Sequence, residues 1–189
     1  HISRIASVAS FFLSRIDSNI DDRIDAKLKA GVGSAETEAK LMALKGKIAI
    51  ANAKIAYQKY KEIFGSDRWK ALAGKGAKVQ RLLWASTSTK NPAYSDVMYV
   101  DELIGADTVN TLPPATIEAC ADHCHPANRI ETGVAQAYQA IATLQAPDVN
   151  IDIKEVMDEL LEDGIDKFVK PFESLMASLQ AKVKQLAAV

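Results

Sequence analysis

RLLWASTSTKNP, residues 81–92, changes character abruptly. It opens as an apolar run, Leu82-Leu83-Trp84. Beyond Ala85 it turns into Ser86, Thr87, Ser88 and Thr89, closed by Lys90, Asn91 and Pro92. A brief apolar run ending on a polar loop is the pattern of a buried strand. Two other segments share it: 5–13 (IASVASFFL) and 108–112 (TVNTL). Helical periodicity fills the intervals. Residues 20–30 carry Ile20, Ile24 and Leu28, and 36–64 carry Leu41, Leu44, Ile48, Ala51, Ile55 and Tyr57. Asn91-Pro92 and Ser95 announce a short helix running toward Leu103, and Pro113-Pro114 precedes one over 115–123.

From residue 130 the pattern is purely helical. It predicts helices over 130–144, over 153–161 with Gly164 as its stop, and over 165–187. The last places Phe168, Phe172, Leu175, Leu179, Val183 and Leu186 on one face, with Pro171 suggesting a kink or a break after Lys170. Strands alternating with helices argue for parallel βα units. Three units are too few for a (β/α)₈ barrel, which takes about 250 residues. The expected fold is therefore α/β, part of such a barrel. Residues 1–129 supply the βα units, and 130–189 supply helices packing on them in a single partial-barrel domain.

Composition narrows the function. With 23 basic and 24 acidic residues the formal charge is −1, so no global field attracts nucleic acid or anionic membrane. No apolar run reaches the roughly 20 residues of a membrane helix. The N-terminus shows no secretory pattern, and two cysteines make no disulfide framework. A cytoplasmic setting is expected. His1-Ile2-Ser3 runs almost at once into strand-like sequence, so the chain is expected to begin inside a fold.

In parallel α/β proteins, ligand groups follow the C-terminal ends of strands. In SFFLSRID (10–17), Ser10, Phe12 and Ser14 alternate onto one side, and Arg15 arrives at the rim, where its fork of donors suits phosphate. A salt bridge from Arg15 to Asp17 or Asp21 is the alternative. In the opening stretch, the hydroxyls of 86–89, Lys90 and the amides of a helix opening at Asn91-Pro92 would cradle an anion. A solvated Ser/Thr turn is the plainer reading.

RIASVASFFLSRID (4–17), RLLWASTSTKNPAYSDVMYVDELIGADTVNTLPPATIEA (81–119) and DGIDKFVKPFESL (163–175) closely resemble the C-terminal part of bacterial transaldolases. The resemblance implies a (β/α)₈ barrel. It also implies transfer of a dihydroxyacetone unit between ketose and aldose phosphates through a Schiff base, within the pentose phosphate pathway. This chain would then run from the sixth strand through the eighth. Ser10 and Arg15 look like the serine and arginine lining the family's sugar-phosphate pocket, with Phe12 as the aromatic between them. Ser88 and Lys90 fall where other transaldolases have a Ser-x-Arg pair. The lysine keeps the charge but loses the bidentate fork. Thr111 would face the pocket wall.

The family's Schiff-base lysine belongs to the fourth strand, upstream of this chain. No lysine lies inside the three strand segments, so no catalytic residue is expected here and the chain alone would be inactive. No cofactor or metal is expected. Cys120, His123, Cys124 and His125 (CADHCH) match no common zinc spacing and read better as helix residues packed against the barrel. The acidic residues of DELLEDGIDKF read as a solvated face. The expected partners are sugar phosphates and either the missing N-terminal half of the barrel or a second copy. The other functional class left open is a non-catalytic half-barrel that binds sugar phosphates or acts as a scaffold.

Overall fold

The alternation in SVASFF suits a strand with one face packed and the other open. In the computed structural model, which describes residues 1–187, it forms β1 (Ser7–Phe12). β1 pairs in parallel with β2 (Gln80–Ala85), and β2 in parallel with β3 (Thr108–Asn110), in the order β1-β2-β3. These are the three expected strands, with ends moved by one or two residues. The helices are α1 (Ser14–Ala30), α2 (Ala35–Leu44), α3 (Ile48–Gly65), α4 (Asp67–Ala73), α5 (Met98–Glu102), α6 (Pro114–His123), α7 (Val134–Leu144) and α8 (Ile153–Ala187). The chain divides into two compact units, His1–Ile153 and the residues from Lys154 onward. No helix among the described residues is long and apolar enough to cross a membrane.

In the first unit the sheet has two unlike faces. Phe11 and Trp84, partners in register, meet edge to face at 5.7 Å. Trp84 is buried, and its indole N–H donates to the Leu103 carbonyl at 3.1 Å. Ser10 and Phe12 take the opposite face by the alternation of the pleat. α1 buries Ile16, Ile20 and Ile24 at four-residue spacing. They pack toward α2, with buried Leu41 and Leu44, and toward α3, with buried Ile48 and Ala49. Each such isoleucine removed from water stabilises the fold by about 1.5–3 kcal/mol.

The expected helix over 36–64 is two helices, because the chain turns at Lys45-Gly46-Lys47. Gly46 has φ +67, a left-handed conformation that ends a helix readily only where no Cβ is present. The space is also taken. A Cβ at Gly46 would lie 2.7 Å from Cζ of Tyr94. α4 was not foreseen, although Ser66 caps it by accepting from the Trp69 amide at 3.3 Å. α1 begins at Ser14, directly off the strand and six residues before the expected start.

Among the described residues the second unit is one helix. The expected stop at Gly164 and the break expected as one alternative at Pro171 do not occur, since α8 runs through both. A glycine in a helix interior costs only about 1 kcal/mol. Ion pairs one turn apart, Lys167 with Asp163 and Lys170 with Asp166, brace the helix around both positions. The acidic run is thereby part of a solvated, paired helix face. Among the described residues of its own unit the helix has nothing against which to bury Phe168, Phe172, Leu175 and Leu179, which are exposed.

Gly46→Ala is expected to lower stability by about 2–3 kcal/mol in urea unfolding, combining backbone strain with overlap on Tyr94. In a Tyr94→Ala background the same change should cost only about 1 kcal/mol, the part due to φ alone. Equal costs in the two backgrounds would exclude the steric contact.

Candidate phosphate site at the strand ends

The end of β1 and the end of β2 lie side by side. The Leu13 amide donates to the Ala85 carbonyl at 3.0 Å, and the Ser14 amide to the Ser86 carbonyl at 3.1 Å. Arg15 therefore leaves the sheet beside the loop carrying Ser88 and Lys90. Its guanidinium lies over the Phe12 ring, 4.7 Å from the centroid. This stacking presents a cation over an aromatic face without consuming its donors. Lys90 donates to Ser88 Oγ at 2.9 Å. Phe12 is thus joined to Arg15 and Ser88 to Lys90, each pair at the mouth of its own strand. Ser10 is exposed on the open face.

Thr111 sits just past β3, and its hydroxyl donates to the Trp84 carbonyl at 3.0 Å. Its own carbonyl accepts from Thr87 Oγ1 at 2.9 Å. Part of the hydroxyl row after β2 is consequently structural: Thr87 is buried and ties the loop to β3. The expected helix opening at Asn91-Pro92 is absent. Asn91 makes a turn, its side chain accepting from the Ala93 amide and its carbonyl from the Tyr94 amide, and α5 begins only at Met98. No helix amides reach Lys90, so any anion there depends on side chains and the loop backbone.

The alternative role for Arg15 fails on the carboxylates. Asp17 and Asp21 have every oxygen engaged elsewhere. Asp17 accepts from the Ala49 amide at 2.8 Å and from the Tyr99 hydroxyl at 2.7 Å. Asp21 accepts from the Gly46 amide at 3.1 Å and from the Tyr94 hydroxyl at 2.6 Å. α3 has no side-chain cap of its own, so Asp17 caps it from α1. Burial raises the Asp17 carboxyl from 3.8 to about 6, against the lowering effect of the Ala49 amide and Tyr99 and with a further push from Asp21. Burial and the adjoining carboxylates hold the Tyr94 and Tyr99 hydroxyls well above the usual phenol range. Asp17, Asp21, Asp22, Asp25, Lys90, Tyr94 and Tyr99 line one cleft of about 340 Å³.

Sequence reading did not find this cluster. The available signal was the pair Ile-Asp repeated at 16–17, 20–21 and 24–25, which sets an aspartate beside each buried isoleucine. The cysteine–histidine segment comes apart. His123 bonds to Asp96 and Asp122, while the Cys124 thiol, beside Cys120 and Asp101, is pushed up to about 12 chiefly by burial. Among the described residues no group of three or more His, Cys, Asp or Glu is placed to hold a metal. None of β1, β2 and β3 carries a lysine. The buried Lys54 lies on α3 and donates to Glu102 at 2.9 Å and to the Thr132 carbonyl at 3.0 Å.

Parallel strands alternating with helices define an α/β protein. The model of the transaldolase/fructose-6-phosphate aldolase family matches residues 2–179, and the chain belongs to that family. It is 74% identical over 188 residues to transaldolase 2 of Nostoc sp., covering 100% of this chain and 49% of that protein. It is 68% identical over 188 residues to the transaldolase of Trichodesmium erythraeum, again covering 100% of this chain and 49% of that protein. The transaldolase of Saccharopolyspora erythraea is 45% identical over 185 residues, covering 97% of this chain and 47% of that protein. The chain spans about half the length of the curated relatives it matches.

Because the folded Asp17 keeps its proton to about pH 6 and the unfolded one loses it near 3.8, stability is lost as pH rises through that window. The loss amounts to about 3 kcal/mol by pH 7. Asp17→Asn has no such titration. The stability of the variant relative to the unaltered chain should therefore climb by about that amount between pH 4 and 7. A difference that stays flat over this range in urea titrations would show that Asp17 titrates normally.

Proposed function

We propose that this chain is the sugar-phosphate-holding portion of a transaldolase, the C-terminal part of its (β/α)₈ barrel. The observation that carries this reading is the placing of two cations at adjacent strand ends, Arg15 stacked on Phe12 and Lys90 bonded to Ser88. A sugar phosphate bears a dianion at one end. Arg15 offers it a planar fork and Lys90 a point charge, with Ser10 and Ser88 as hydroxyl donors and Phe12 and Thr111 along the wall. The reaction moves a dihydroxyacetone unit from a ketose phosphate to an aldose phosphate of the cytoplasmic pentose phosphate pathway, through a Schiff base.

That chemistry needs a lysine with a depressed pKa at the base of the pocket. Lys90 stands at a polar rim and Lys54 is tied down on α3, so the Schiff-base lysine belongs to the remainder of the barrel and this chain alone is inactive. Among the described residues the sheet order leaves the outer edges of β1 and β3 unpaired. Those edges take the strands of that remainder. The exposed Ile5 and Val8 at the β1 side favour the same partner. Residues 1–129 form the βα units in this reading, followed by the helical segment that begins at 130.

Treating the isolated chain with fructose 6-phosphate and borohydride should leave its mass unchanged. A covalent adduct would overturn the claim of inactivity. Arg15→Ala and Lys90→Ala should each weaken fructose 6-phosphate binding about tenfold or more in calorimetry. With open sheet edges, the chain should also associate with itself in light scattering when its complement is absent. A monodisperse 20.5 kDa monomer would count against the exposed-edge interpretation.

A further inference from the structure

Lys90 belongs to two settings. Its ammonium donates to Ser88 Oγ at the rim, and its side chain also lines the 340 Å³ cleft, which contains four α1 aspartates. A lysine is a flexible point charge, and an unengaged carboxylate beside it competes with a phosphate for the ammonium.

The acids of the cleft are almost all occupied. Asp17 is taken by the Ala49 amide and Tyr99, and Asp25 by Lys45 at 2.5 Å. Asp22 is exposed, so water and salt screen it. Asp21 is the remaining acid. It is buried, with Oδ1 on the Gly46 amide and Oδ2 held by the Tyr94 hydroxyl at 2.6 Å. Tyr94 comes from the same loop as Lys90, four residues on, and its ring is fixed against Gly46.

We infer that Tyr94 is a positioning residue for phosphate binding: by occupying Asp21 it keeps the Lys90 ammonium at the rim. Without the phenol hydroxyl, the buried Asp21 loses its donor at Oδ2, and Lys90 is the cation lining that cleft. The ammonium then turns from the phosphate side to the carboxylate. This inference rests on the phosphate-binding reading of Lys90.

The test is calorimetric titration of the full chain and its variants with fructose 6-phosphate, after thermal melting has shown each to be folded. Tyr94→Phe should bind about five- to tenfold more weakly. The double variant Asp21→Asn with Tyr94→Phe should recover to within about twofold of the unaltered chain, because the competing charge is gone. Asp21→Asn alone should bind at least as tightly as the unaltered chain. A tie that merely braced the loop would instead leave all three variants weak. Unchanged binding by Tyr94→Phe, no recovery in the double variant, or weakened binding by a folded Asp21→Asn would each overturn the inference alone. If Lys90→Ala binds as well as the unaltered chain, or the unaltered chain does not bind, the phosphate reading falls and this inference falls with it.

Discussion

A carboxylate taken out of water must be given donors for each oxygen or give up its charge. α1 buries Asp17 and Asp21 one turn apart, and their donors come from distant parts of the chain. Two are amides at the α2–α3 turn, of Gly46 and Ala49, and two are phenols beyond β2, of Tyr94 and Tyr99. Satisfying these acids therefore fixes α1, the start of α3 and the loop after β2 against one another. The rim residues stand on that frame: Arg15 is two residues before Asp17, and Lys90 is four before Tyr94.

The frame explains why the rim differs in kind at its two strand ends. Arg15 is held by the strand-to-helix junction and by the Phe12 ring, and its carboxylate neighbours are already engaged. Lys90 rides on a loop secured by Thr87 and Tyr94 and has a flexible stem. An arginine there would bring its own planar geometry. A lysine depends on its surroundings for direction, which places more weight on the neighbouring bonds.

Much of the fold was legible from local pattern. The short apolar runs became three parallel strands, although Trp84 is the only buried residue in them. The isoleucine spacing of α1 and the leucines of α2 marked the buried faces. The errors fall where tertiary contacts override local rules. Gly46 splits what reads as one helix because its amide belongs to Asp21 and its missing Cβ leaves room for Tyr94. Asn91-Pro92 resembles a helix start, yet the segment closes a local turn instead. Gly164 and Pro171 resemble stops, yet α8 continues through them.

For the rim, the sequence alone determined the cations, hydroxyls and aromatic, and that they follow strand ends. Residue chemistry and pleat alternation are local properties, so they can be read without coordinates. Pairing them was a matter for the tertiary structure. Only there does Arg15 lie on Phe12, and only there are Asp17 and Asp21 drawn away from it. A hydrogen-bond partner is set by proximity in space, and residues 21 and 94 or 17 and 99 carry no mark in the sequence that they will meet.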